Sequence, residues 1–227
     1  MSKRKPPASS RGLSVRVKTA KKRSNSSVRW LQRQLNDPYV AKAKAAGYRS
    51  RAAFKMAEMH EKFGLFKPGM RVVDLGCAPG GWAQVAVQQI GAKGKVVGCD
   101  LLPVDPIPGA TLIVQDFLAD DAPHVMQQLL GGQADVVMSD MAANTTGHTP
   151  TDHLRIMHLC ELAYDFALQV LAPNGAFICK VLKGGTEREL LRRMQQDFTT
   201  VKHAKPEASR KDSAESYVVA MGFRGQR

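Results

Sequence analysis

Four acidic residues each follow a short apolar run in this chain. Asp74 follows Val72-Val73, Asp100 follows Val96 to Cys99, Asp116 follows Leu112 to Gln115, and Asp140 follows Val136 to Ser139. A carboxylate at the end of a strand can accept the hydroxyls of a ribose or the amine of a base, or it can cap the next helix. Lys180 lies inside another apolar run, Phe177-Ile178-Cys179-Lys180-Val181, where an idle ammonium is costly. Partly desolvated and beside a second cation, such a lysine can align a hydroxyl or take its proton. The plainer reading is an edge lysine whose stem is buried and whose head reaches water.

The element that must position these groups is Val72-Val73-Asp74-Leu75-Gly76-Cys77-Ala78-Pro79-Gly80-Gly81-Trp82. A β-branched strand runs into a glycine loop, and the loop opens a helix whose free N–H groups face whatever sits there. A phosphate-gripping Walker loop requires Gly-Lys-Ser/Thr where this chain has Gly-Gly-Trp. The dinucleotide fingerprint fits poorly, because the glycines fall at 76, 80 and 81. The loop of adenosylmethionine enzymes, with an acid before its first glycine, fits best. Asp74 could then hold the methionine ammonium directly or through water. Asp100 stands at the right distance for the ribose hydroxyls and Asp116 for the adenine amine.

Strands and helices alternate along the chain. Strands are expected at Arg71–Leu75, Lys95–Asp100, Leu112–Asp116, Asp135–Asp140, Ala176–Leu182, Thr199–His203 and Ser216–Phe223. Helices are expected at Gly81–Ile90, 121–130, Asp152–Leu171 and Thr186–Asp197 between them. Repeated βα units imply a Rossmann-like α/β domain with a mostly parallel seven-stranded sheet, an antiparallel last strand and helices on both faces. Ligands of such sheets sit beyond the carboxyl ends of the strands, where all four acids would gather.

The 227 residues suffice for one domain with appendages: a basic arm at 1–27 read as disordered, a basic helical extension at 28–66 and the catalytic domain at 67–227. The net charge of +13 is unevenly placed, with eleven Lys/Arg and no acid before Asp37. That excess points to a phosphate polymer as partner. Arg29, Lys42, Lys44, Arg49 and Arg51 are the candidate RNA contacts. In the extension, Asp37-Pro38 opens a short helix that Gly47 ends, and Ser50 is expected to cap a second helix carrying Lys55. Cys77, Cys99, Cys160 and Cys179 show no metal-like spacing and read as buried thiols of a cytoplasmic protein. No secretory signal and no membrane span is expected, and the chain is read as a monomer.

The acceptor of the methyl group is narrowed by what is missing. The segment after the fourth strand, Ser139-Asp140-Met141-Ala142, lacks the aromatic residue that would stack a base and present its amine. Carbon methylation needs a thiolate, and strand alternation turns Cys179 away from Lys180. A hydroxyl acceptor remains, which needs alignment and a route for its proton.

Lys55, Asp140, Lys180 and Glu215 resemble the Lys-Asp-Lys-Glu set of the FtsJ-type ribose 2′-O-methyltransferases. The likeness extends through Ser-Arg-Ala-Ala-Phe-Lys55, the glycine loop, Cys-Asp100-Leu-Leu-Pro, Val-Met-Ser-Asp140-Met-Ala, Lys180-Val and Ser-Ala-Glu215-Ser-Tyr. The resemblance implies a class I methyltransferase that uses S-adenosylmethionine. Its bacterial ribosomal members imply a uridine in the A-loop of 23S rRNA, within the 50S subunit, as acceptor. It also implies Gly80, Trp82, Asp100, Asp116 and Asp140 as cofactor contacts, to which the strand–loop reading adds Asp74 and Gly76. Lys180 is implied as proton acceptor, Asp140 as the group orienting the hydroxyl, and Lys55 and Glu215 as holding the ribose and the lysine. A non-catalytic RNA-binding factor for ribosome assembly, or an enzyme for another RNA such as tRNA, stays open.

Overall fold

The computed structural model describes residues 15–22, 24–142, 146–182, 187–210 and 212–225. The first half of the expected basic arm and the start of the polar loop at Asn144 lie outside the described residues. Seven strands form one sheet: β1 (Arg71–Leu75), β2 (Lys95–Asp100), β3 (Ala110–Val114), β4 (Ala134–Ser139), β5 (Leu171–Leu182), β6 (Phe198–Ala204) and β7 (Glu215–Phe223). Their order is β3-β2-β1-β4-β5-β7-β6, with β7 antiparallel to both neighbours and the other pairs parallel.

Seven α-helices accompany the sheet: α1 (Asn25–Leu35), α2 (Pro38–Ala45), α3 (Ala52–Phe63), α4 (Gly81–Ile90), α5 (Ala122–Leu130), α6 (Thr149–Val170) and α7 (Glu187–Asp197). Alternation along the strands divides the core in two. Val73, Val97, Val137, Phe177 and Val218 pack on the α5–α6–α7 side. Val72, Val96, Val136, Ile178 and Val219 pack on the α3–α4 side. Helix α3 thus shares a core with the strands it precedes: its Ala53, Met56 and Met59 are fully buried against that second face.

Several boundaries move, each for a local reason. The β2–β3 ladder ends at Asp100 and Val114, so nothing remains for Asp116 to pair with. Asp116 sits two residues past β3, and its Oδ1 accepts the Leu118 N–H at 3.0 Å. Asp140 likewise stands one residue past β4. Strand β5 starts earlier than expected, because Leu171 still pairs with Ala134. The Pro173-Asn174-Gly175 turn becomes an irregularity, with Asn174 left-handed at φ 68°.

Ser50 does not cap α3. The first turn is closed by backbone bonds from Ala53 to Ser50 and from Phe54 to Arg51, while the Ser50 Oγ has no partner and lies against Gly81. Asp37 does cap α2, accepting the Tyr39 N–H at 3.0 Å, with Pro38 at the first helical position. Structure also begins earlier than the arm boundary. Ser24 caps α1, and the Val15 and Val17 N–H groups donate back to the Asn36 and Gln32 side chains of that helix.

Candidate active site

Strands β1 and β4 lie side by side while their connections leave in opposite directions, the switch point at which α/β sheets hold ligands. The loop after β1 needs its glycines. Gly76 and Gly80 have φ of 73° and 107°, a region that side chains rarely adopt. A Cβ on Gly76 would run into Met141, and one on Gly80 into Ile107 and Arg49.

Over this loop opens a cavity of about 780 Å³ lined by Gly76, Ala78, Asp100, Asp116, Asp140 and Met141. That size suits a ligand as large as a nucleoside joined to an amino acid. Asp100 is fixed from two sides: Ala78 N–H donates to its Oδ2 and Leu102 N–H to its Oδ1, both at 2.9 Å. An ionised carboxylate accepts about four bonds, so each oxygen keeps capacity for a vicinal hydroxyl. Leu101, Leu102 and Leu118 supply apolar walls at the same opening while remaining exposed. These residues fit adenosylmethionine.

Three sequence-derived cofactor residues, Asp74, Gly80 and Trp82, are not among those walls. Asp74 is buried beneath the loop and one of its oxygens has no partner. Burial, then the charges of Asp140 and Asp100, push its pKa well above the ordinary carboxylate range, against the pull of an Ala83 N–H bond. Trp82 is buried too. Its indole N–H donates to the Ala52 carbonyl at 2.9 Å and its ring packs on Tyr217, so only its backbone belongs to the loop.

The four charged residues of the tetrad form two ion pairs; Asp140 lines this cavity, while Lys55 and Glu215 line a separate cleft. Lys180, buried in β5, donates from Nζ to the Asp140 backbone carbonyl at 2.6 Å and to Asp140 Oδ1 at 3.0 Å. Two of the three N–H groups of an ammonium are then spent, and one is left for an acceptor. Lys55 on α3 pairs with Glu215 at 2.7 Å. The pairing therefore differs from the expected one: Glu215 holds Lys55 and not Lys180, and it also accepts from the Ser209 hydroxyl at 3.0 Å.

The two ion pairs are joined by a residue that the sequence reading leaves without a role. Tyr217 donates its hydroxyl to Asp140 Oδ1 at 2.9 Å and accepts from Lys55 Nζ at 3.0 Å. A signal was present, since Glu215 and Tyr217 are two apart on one strand and must share a face. Burial first, then the charges of Asp140 and Glu215, raise the phenol well above its ordinary pKa, which keeps it a neutral donor. Burial alone would raise Asp140 as well. The ammonium groups of Lys180 and Lys55, with bonds from Lys180 and Tyr217, outweigh that and hold it below the usual range.

All four cysteines are buried and none forms a disulfide, and burial pushes the Cys99 thiol up to about 12. Helix α6 adds Arg155 and His158 to the cavity, neither singled out from sequence.

The five candidate RNA contacts divide. Arg29, Lys42 and Lys44 are exposed. Arg49 instead donates to the carbonyls of Pro79, Asp105 and Pro106, bracing the glycine loop. Arg51 pairs with Asp37 and donates to the Ala208 carbonyl.

Comparison with known proteins agrees with this geometry. The model of the FtsJ-like methyltransferase family matches residues 48–223. A ribosomal RNA large subunit methyltransferase E from Paramagnetospirillum magneticum is 63% identical over 225 residues, covering 97% of this chain and 92% of that protein. Its counterpart from Granulibacter bethesdensis is 62% identical, covering 98% and 96%. Among solved structures, a ribosomal RNA methyltransferase from Plasmodium falciparum superposes with a TM-score of 0.71 at 29% identity, over 79% of this chain and 100% of that one. By the family model over residues 48–223 and relatives of this identity, the chain belongs to the FtsJ-like methyltransferase family.

Proposed function

We propose that this chain transfers a methyl group from S-adenosylmethionine to the ribose 2′-hydroxyl of a uridine in the A-loop of 23S rRNA, within the 50S subunit. The observation that carries the reading is the continuous polar chain from Lys180 through Asp140, Tyr217 and Lys55 to Glu215, which meets the cavity at Asp140. The relatives are large-subunit ribosomal RNA methyltransferases, which points to that RNA as substrate. The 2′-oxygen, the uridine and the A-loop come from the family resemblance.

In this reading Asp100 receives the ribose hydroxyls of the cofactor, Asp116 its adenine amine, and the Gly76–Trp82 loop its amino-acid end. When bound, the cofactor supplies a methyl group activated by a sulfonium. Lys180 serves in one of two forms: as an ammonium its remaining N–H aligns the acceptor oxygen, and as a neutral amine its lone pair takes the hydroxyl proton. Asp140 fixes Lys180 through its carbonyl and carboxylate together. Lys55, clamped by Glu215 and Tyr217, holds the acceptor ribose. Alignment of this kind and general-base assistance can each account for about 10²-fold or more in rate. All five residues belong to one chain, so the described site needs no second copy. Arg29, Lys42, Lys44 and the basic residues before Asp37 supply charge for the RNA backbone.

The test is transfer of labelled methyl from adenosylmethionine into 50S subunits that lack the modification, with ribose-methyl mapping of the 23S rRNA. A single new 2′-O-methyl uridine in the A-loop is expected. Label at another nucleotide would move the substrate, and no label in RNA would leave a binding factor for subunit assembly.

A further inference from the structure

Beyond the tetrad, a separate cleft of about 250 Å³ opens between α1, the start of α3 and the β6–β7 connection. Its walls include Arg33, Arg51, Lys55, Arg210, Asp212 and Glu215. We propose that this cleft is a phosphate subsite that grips one backbone phosphodiester of the acceptor RNA strand. The inference rests on the reading of the chain as an RNA methyltransferase and adds the group that fixes the strand.

Three observations converge. First, the charge is unbalanced where it faces the cleft. Glu215 is committed to Lys55 at 2.7 Å, and Asp37, behind the wall, is shared by Arg51 and Arg210. Arg33 is exposed and makes no hydrogen bond or ion pair among the described residues.

Second, the arginines are held in place in advance. Asp37 fixes both guanidinium groups from behind, and the Ala208 carbonyl holds Arg51 from the side. The Arg51 Nε is buried and lacks an acceptor. Planar forks held this way suit the tetrahedral oxygens of a phosphate better than a carboxylate at the end of a flexible stem.

Third, the place is right. Lys55 is a wall of the cleft and lies two hydrogen bonds, 3.0 and 2.9 Å, from Asp140 through Tyr217. A phosphate in the cleft therefore belongs to the nucleotide being modified or to its neighbour. The space is about eight water volumes, which admits a phosphate with its ester oxygens. Asp212 opposes such a ligand, which gives a substitution of opposite sign.

The experiment measures equilibrium binding of a labelled 23S rRNA fragment over a range of salt, beside methyl transfer to 50S subunits. Arg33→Gln is expected to lose about tenfold in RNA affinity and about one unit of the log–log salt slope. The subunit KM should rise while kcat and cofactor affinity stay at the parent values. Arg33→Lys should restore the slope, and Asp212→Asn should tighten binding.

A double-substitution cycle localises the effect. Arg33→Gln with Arg210→Gln should be non-additive, and Arg33→Gln with Lys42→Gln additive. Should Arg210→Gln melt early, Arg210→Lys retains the bond to Asp37 and serves in its place. Parent-like affinity and slope in Arg33→Gln, or full additivity with Arg210, overturns the subsite. A parent protein that binds RNA with the Arg33 dependence but transfers no methyl would overturn the enzymatic reading alone.

Discussion

The proposed cofactor side and the proposed acceptor side of this site are assembled by opposite means. On the cofactor side the principal groups come from one continuous stretch, 74 to 118, and are fixed largely by backbone. Ala78 and Leu102 N–H groups clamp Asp100, Leu118 N–H clamps Asp116, and glycines clear the space. On the acceptor side five side chains arrive from α3, the end of β4, β5 and β7, and they fix one another. A backbone cradle tolerates the loss of one side chain as a partial loss of affinity. A mutual network is expected to fail in rate, and in several members at once, because each group orients the next.

The sharpest way to break that contrast is Lys180→Met, which keeps the apolar stem and removes the ammonium. Single-turnover methyl transfer should fall by at least 10²–10⁴-fold, while calorimetric titration of adenosylmethionine stays near the parent. A parallel collapse of cofactor affinity would show that Lys180 also sets Asp140 for the cofactor, so that the halves are not separable. Tyr217→Phe comes next. It deletes one hydroxyl that meets charged groups on both sides, and a rate loss of about 10- to 100-fold at unchanged cofactor affinity is expected. A parent-like rate would reduce the tyrosine to packing.

On the other side, Asp100→Ala should weaken adenosylmethionine by about tenfold or more, with the rate at saturating cofactor little changed. Unchanged affinity would mean that the carboxylate serves only its two backbone donors. The smallest effect concerns Asp74. Because its folded pKa is raised, the native state keeps a proton that the unfolded chain gives up above about pH 4, so stability declines as pH rises through that window. Asp74→Asn cannot titrate. Its melting temperature should match the parent below about pH 4 and exceed it increasingly above, with each kcal/mol appearing as about 2–4 °C. A constant difference at all pH would assign the effect to packing.

The same contrast explains what could be read from sequence. β1, α4 and β2 begin and end where the β-branched runs and glycines place them, at Arg71–Leu75, Gly81–Ile90 and Lys95–Asp100. Local punctuation decides those boundaries. The acceptor side carries no such local punctuation: Glu215 enters only through family resemblance, and Tyr217 is signalled only by standing two residues from it on one strand. Arg49 and Arg51 resemble any other basic residues along the chain, because the carbonyls they brace lie 30 to 157 residues away. Ser50 reads as a cap because its type is right, and the backbone closes that turn without it.

The contact between Gly76 and Met141 bears on anyone wishing to retune this enzyme for a bulkier alkyl donor. The wall of the cavity can be cut back from one side only. Met141→Ala removes bulk and is expected to spare the glycine turn, because it adds no atom against Gly76. Any side chain added at Gly76 would press on Met141, and through it on Asp140. Selection for donor size and selection for acceptor alignment therefore meet at a single point of van der Waals contact, and a library that varies Met141 alone can explore the first while holding the second fixed.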